Sequence, residues 1–360
     1  MSEALFNSFP GSDKNIWKEA AQKELSGKDP FAELTFDIGS ITLKPYYDRS
    51  DTDGFQQDVL DVSQDLYLGP RGWLNTPKVL VTDEIEANKV ALEHLNHGAD
   101  AIVFEISSSI TLDKLLSGIK LPYCAVYFMC DAEQSGLLTD FEHYVKDSQI
   151  DTSNLTGGFF WRTPISPDVI SKTSVMRQWK RFFPLGILVH FDNDPSEEIS
   201  GSLLEAVRII SDAGKDSITQ ICFAINIDTD FFSSIAKLKC LRRLWRQIQG
   251  AYGSPQTHLH IHGISPAWMN EKYSPNGNMI KSTTAALSAV LGGCDSISVE
   301  SDEIQSHFKE RVARNVLNII REESKLNQPA DPTAGSFFLE AYIEQLSQRA
   351  WRKFQDRIMP

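Results

Sequence analysis

Eight short runs rich in β-branched and aromatic residues, separated by helix-length segments, constrain this chain more than any other feature. They lie at residues 78–81, 101–106, 123–129, 157–161, 185–191, 220–225, 257–262 and 295–299. Between them, segments such as 83–97, 196–213, 231–251, 278–291 and 304–324 place several of their apolar residues at i, i+3 and i+4. Gly98, Gly214 and Gly253 stand where helix C-termini belong. Strands that alternate with helices build a parallel sheet, and eight such units close an α/β fold of the (β/α)8 TIM-barrel type. Residues 71–335 are assigned to that barrel. Residues 1–70 form an N-terminal helical and extended arm with an amphipathic helix at 16–26, and residues 336–360 a C-terminal helix starting near Phe337.

Composition narrows the partners. The formal net charge of -13 argues against a nucleic-acid or anionic-membrane binder, because either needs a basic face. No apolar run approaches the roughly 18 residues of a membrane span. Cys124, Cys130, Cys222, Cys240 and Cys294 are scattered, mostly within apolar runs, and form no CxxC pair. That usage fits reduced thiols and a cytoplasmic location. Arg242, Arg243 and Arg246, with Lys237 and Lys239, make a basic cluster on one helix, a pattern that ordinarily marks a solvated face.

Three blocks carry a family resemblance. The stretch from Ser282 reads STTAALSAVLGGCDSISVESDE, and that from Arg311 reads RVARNVLNIIREESKLNQPADPTAGSFFLE. A second block runs from Phe223-Ala224-Ile225 through Phe231-Phe232 and Ala236-Lys237-Leu238-Lys239 to Arg242-Arg243-Leu244-Trp245. The third is WKEAAQKELSGKDP with ITLKPYYDRSD after it. Together these resemble the methylmalonyl-CoA mutase family, radical isomerases that work with adenosylcobalamin on acyl-CoA substrates. The resemblance implies an acyl-CoA mutase barrel and an N-terminal arm that wraps a partner subunit. It is weakest in the middle, from Asp131 to Gln178.

Departures from the family pattern bear on activity. Catalytic chains of the family read His-Ser-Gln-Thr-Ser-Gly, where this chain has His262-Gly263-Ile264-Ser265-Pro266-Ala267. His262 is kept, but Ile264 replaces the Gln and cannot hydrogen-bond a thioester or carboxylate. In the later Asn-Asn-x-x-Arg-Thr-Thr motif, Lys281 replaces the Arg. Aligning Arg71 and Trp73 with Arg-Pro-Trp-Thr-Ile-Arg puts Leu68 where a Tyr belongs and Thr76 at the second Arg. Tyr67 stands one residue out of register. His190 falls roughly at the family's Gly-Tyr-His and reads as a remnant at most. No Asp-x-His-x-x-Gly motif, which supplies the lower cobalt ligand in the family's cobalamin domain, occurs in the sequence.

The resemblance therefore implies the small, non-catalytic subunit of a heterodimeric mutase. Adenosylcobalamin and the interconversion of methylmalonyl-CoA and succinyl-CoA would belong to a large catalytic partner, and the C-terminal helix would lead to a cobalamin-binding domain that the chain as given lacks. Catalytic chains thread CoA through a barrel lined by small polar side chains. Here Ile264, Leu188, Phe223 and Ile225 are expected to fill it. A rival reading comes from THLHIH at 257–262, where His258, His260 and His262 would share one face of a strand and could ligate zinc in a metal-dependent barrel hydrolase. Such a site needs further ligands, for which His190 and Asp192 are the candidates.

Overall fold

A computed structural model describes residues 13–55, 68–254, 257–267, 276–303 and 306–358. A small antiparallel hairpin, β1 (Phe36–Ile38) and β2 (Ile41–Leu43), lies in the arm. The main sheet contains β3 (Leu74–Asn75), β4 (Lys78–Val81), β5 (Ala101–Ile106), β6 (Ala125–Cys130), β7 (Thr156–Trp161), β8 (Arg181–Leu188), β9 (Ile221–Asn226), β10 (Ile261–Ser265) and β11 (Ser296–Val299). It runs in the order β3-β11-β10-β9-β8-β7-β6-β5-β4, and each neighbouring pair is parallel.

The segment carrying β3 and β4 joins the two ends of this order. On one side the amides of Leu74 and Thr76 donate to the carbonyls of Asp295 and Ile297, each at 2.9 Å. On the other, the amides of Asp100 and Val103 donate to Asn75 and Pro77 at 2.9 and 3.0 Å. One continuous stave thus pairs along both edges, so the nine strand segments make eight staves and the TIM-barrel sheet closes.

Alternation along each strand separates two cores. Ile102, Phe104 and Ile106 of β5, Val126 and Phe128 of β6, and Phe223 and Ile225 of β9 face outward into the layer beneath the helices. Ala101, Val103, Ala125, Tyr127, Met129, Phe160, Cys222, Ala224 and Ile264 face the barrel axis. Ile264 and Leu188 thus lie in the interior cluster as expected, whereas Phe223 and Ile225 do not. On β9 the inward positions are Cys222 and Ala224, and Phe223 packs edge-on against Trp245 of the helix Phe231–Ala251 at 5.4 Å.

Three of the five basic residues clustered on that helix are also buried, and Arg243 and Arg246 are half-buried. Lys237, Lys239 and Arg242 are 1%, 6% and 4% exposed. Their charged ends meet Glu198 at 2.9 Å, Asp331 at 2.7 Å and Asp295 at 3.1 Å. Buried cations must be paired, and these pairs tie the helix to the helix Pro195–Ala213, to the turn before the helix Phe337–Ile358, and to the start of β11. The expectation of a solvated face fails because all three partners are distant in sequence.

The described part of the arm folds back on its own chain. Ile41 and Leu43 belong to the main core, and Ser40 Oγ accepts from Arg349 Nε at 3.2 Å. The amphipathic helix spans Lys14–Glu24, begins at the side-chain cap of Asp13 and buries no residue completely. Ile16, Leu34 and Phe36 remain exposed.

The barrel wall depends on glycines where staves approach. A Cβ at Gly186 of β8 would lie 2.1 Å from the carbonyl oxygen of Phe159. Gly186→Ala is therefore expected to lower stability by about 3 kcal/mol, the upper end of overpacking costs, because backbone must move. Urea denaturation of the variant beside the parent checks this.

Candidate functional site

Aromatic rings occupy the barrel axis. Tyr127 stacks on Phe160 with centroids 5.2 Å apart, Phe160 on His262 at 4.9 Å, and Phe183 on His260 at 5.0 Å. His260 and His262 are 7% and 0% exposed. Burial pushes the His260 pKa down to about 4 and that of His262 to about 3, so both rings are neutral at pH 7.

Hydroxyl groups complete the packing and fix where the imidazole protons lie. Ser298 Oγ gives its one proton to the carbonyl of Thr76 at 2.5 Å. It can then only accept from His262 Nε2 at 3.1 Å, so His262 carries its proton on Nε2. His262 Nδ1 consequently accepts from Ser296 Oγ at 2.8 Å. Ser296, its proton spent, accepts from His260 Nε2 at 3.0 Å, and the Tyr127 hydroxyl lies 3.1 Å from the same nitrogen. The chain runs in one direction from β10 through β11 to the closing stave.

Above this stack, charged side chains span the C-terminal mouth. Glu300, following β11, meets Lys78 at 2.6 Å, and Lys78 meets Glu105 at 2.9 Å. Glu105 meets Arg162 at 2.9 Å, and Arg162 meets Asp131 at 2.9 Å. Burial works against the Lys78 ammonium, but Glu300 and Glu105 outweigh it and raise its pKa. Five adjacent staves are thus joined across the mouth, while Met129, Leu188 and Ile264 fill the level below. Sequence reading passed over Tyr127, Ser296 and Ser298 and the five charged residues. Their signal was a polar residue at an inward position of an otherwise apolar run, as in Ala101–Ile106.

The residues singled out from the sequence do not converge. His262 is in the axis and Ile264 beside it, 5% exposed. His190 is exposed beyond the end of β8. Lys281 lies half-buried on the helix Gly277–Gly292, outside the barrel wall. Leu68 is half-buried, and its carbonyl accepts from Asn327 Nδ2 at 2.9 Å. Arg71 points at the C-terminal carbonyls of the helix Gly277–Gly292, with Leu291 O at 3.3 Å, and Trp73 belongs to the outer core. Tyr67 lies outside the described residues.

The shared-face zinc reading is corrected by the same geometry. Residues 257–260 precede β10, and His258 is exposed there with its Nε2 against Asp295 at 2.5 Å. His260 and His262 spend their inward nitrogens on hydroxyls. Among the described residues no group of three or more His, Cys, Asp or Glu could hold a metal ion. Among the described residues, the charged groups at the mouth are paired with one another and the axis beneath is filled, an arrangement that does not fit adenosylcobalamin there.

Comparison with known proteins finds similarity to one family. The family model described as Methylmalonyl-CoA mutase matches residues 209–358. "Methylmalonyl-CoA mutase small subunit" of Porphyromonas gingivalis is 26% identical, with 98% of this chain and 64% of that protein covered. "Probable methylmalonyl-CoA mutase small subunit" of Mycobacterium tuberculosis is 30% identical over 44% of this chain and 28% of that protein. "Methylmalonyl-CoA mutase" of Cereibacter sphaeroides is 24% identical over 96% of this chain and 58% of that protein. The chain spans less than two thirds of the length of each of these relatives.

The buried imidazoles make acid stability a direct readout. Their folded pKa values lie below the ordinary 6.5, so the unfolded chain binds more protons below that value. Their contribution is complete above about pH 6.5 and is lost as pH falls toward about 4 for His260 and about 3 for His262, at roughly 1.4 kcal/mol per pH unit for each ring. His262→Gln is expected to flatten the fall in unfolding free energy between pH 6 and pH 4.5 by one ring's share. Urea titrations across that range measure it.

Proposed function

Because the chain belongs to the methylmalonyl-CoA mutase family, we propose that it is the small, structural subunit of a heterodimeric mutase. One observation carries the reading. The axis that an acyl-CoA would thread is filled by Tyr127, Phe160, Phe183, His260 and His262 and crossed at its mouth by the ion pairs of Lys78 and Arg162. A substrate there would have to displace stacked rings and break several partly buried ion pairs, and none of the replacements at Leu68, Ile264 and Lys281 offers it compensation. His262 and His190 are then remnants without a catalytic task.

In this proposal the large subunit binds adenosylcobalamin and the acyl-CoA and performs the isomerisation, and both act in the cytoplasm. Adenosylcobalamin supplies the radical chemistry when bound to that subunit. This chain's contribution is a rigid barrel and an arm spanning residues 1–70 that meets the partner. Exposed Ile16, Leu34 and Phe36 support that role for the arm, because apolar side chains left in solvent are commonly buried at subunit interfaces.

The test uses the chain with and without a large mutase subunit from the same source. The chain alone, given adenosylcobalamin and methylmalonyl-CoA, is expected to yield no succinyl-CoA. Mixed or co-expressed, the two are expected to elute together at equal stoichiometry. Turnover by the chain alone, or separate elution of two folded proteins, overturns the reading.

A further inference from the structure

A crevice of about 330 Å3 opens beside the barrel mouth, within the size range of small-ligand sites. Its walls are residues 161–165 at the end of β7, residues 187–192 at the end of β8, and the first turns of the helix Pro195–Ala213. Trp161, Ile187 and Val189 give it a buried apolar floor.

Gly201 stands in the interior of that helix and lines the crevice. A helical glycine costs about 1 kcal/mol relative to alanine. Packing does not require it here, since a Cβ at Gly201 would meet nothing within 4 Å. What the bare backbone preserves is open volume on the crevice wall.

Charge decides what that volume suits. The lining carries four carboxylates, Asp192, Glu197, Glu198 and Glu205, against one guanidinium, Arg162. Arg162 is committed to Glu105 and Asp131. Glu198 faces Lys237, Glu205 faces Arg208, and Glu197 faces Lys353 and Arg357. None of these four cations lines the crevice. Asp192 is exposed, with Oδ1 accepting from the amide of Asp194 at 2.8 Å, and it forms no ion pair among the described residues. An entering anion would find no uncommitted cation, whereas an entering cation finds a carboxylate without a cationic partner above an apolar floor.

We propose that this crevice binds a small organic cation, an ammonium or guanidinium group on an apolar stem. The crevice shares Arg162 and Leu188 with the mouth, but none of the stacked rings of the axis lines it, so its ligand would bind whether or not the chain acts as a scaffold.

Calorimetric titration of the full chain with butylammonium chloride tests it, beside sodium butyrate at equal ionic strength. Butylammonium is expected to bind saturably and butyrate not to bind. Asp192→Asn is expected to weaken binding roughly three- to fivefold, the range of an exposed ion pair. Gly201→Leu, placed in open space, is expected to abolish it. Gly201→Ala is expected to raise the urea midpoint and retain binding, which keeps the test decisive if the leucine variant does not fold. Absence of saturation with butylammonium, equal binding of butyrate, or unchanged binding by both Asp192→Asn and Gly201→Leu overturns the proposal.

Discussion

Exclusion of water from the barrel axis is the constraint on which the rest depends. A polar atom placed there must find a partner within the protein, because an unpaired buried group costs about 1–3 kcal/mol. The chain Ser298, His262, Ser296, His260 meets that condition with each hydroxyl proton used once. It also crosses the seam of the barrel, because Thr76, whose carbonyl receives the last proton, lies between β3 and β4 on the stave that joins the two ends of the sheet. The interior packing and the closure of the sheet are therefore one arrangement. Loosening the seam would strand the Ser298 hydroxyl and with it the protonation pattern of both rings.

The outer layer is held by the same logic with whole charges. Asp295 accepts from His258 Nε2, from Arg242 Nη2 and from the amide of Ile261, while its own amide and carbonyl pair with Ile261 and Leu74. Burial opposes the carboxylate, but Arg242 and His258 outweigh that and hold it well below the usual range. Arg242 in turn donates to the carbonyls of Leu259 and Gly293. Lys239, one turn before it, grips Asp331 and Thr333, so the Asp331–Gly335 turn anchors the C-terminal helix in space. The pairs of Lys239 and Arg242 join a helix to a turn and to the start of a strand, which suits a subunit whose proposed task is to keep its shape.

Strand number, order and the C-terminal helix were legible in the sequence because parallel staves buried on both faces leave short apolar runs between amphipathic helices. The helix expected from Phe337 indeed spans Phe337–Ile358. What periodicity could not supply was which parity faces the axis: Phe223 and Ile225 are as apolar as Cys222 and Ala224, and only the register with β8 and β10 places the smaller pair inside. The THLHIH run misled for a related reason. Its alternation suits a strand, but the Leu259 carbonyl is taken by Arg242, and β10 begins at Ile261. The charged residues of the mouth were visible one by one, as Glu105 within an apolar run, yet Glu105 and Arg162 stand 57 positions apart. Pairings of that separation are not written in local sequence.

The depth of the closure bears on what kind of protein this can be. Replacing Ile264 by Gln would place an amide in the apolar interior cluster that also holds Met129, Ala224 and Leu188, where its desolvation counts against folding. Removing a ring of the stack would leave a cavity under an intact ionic bridge. Breaking the bridge at Lys78 would leave Glu105 and Glu300 facing each other across the mouth without their shared cation. Each single step toward an open axis therefore costs stability before it creates a passage. A barrel closed in this cooperative way has its interior given over to packing, which leaves contacts with other molecules to its outer surface.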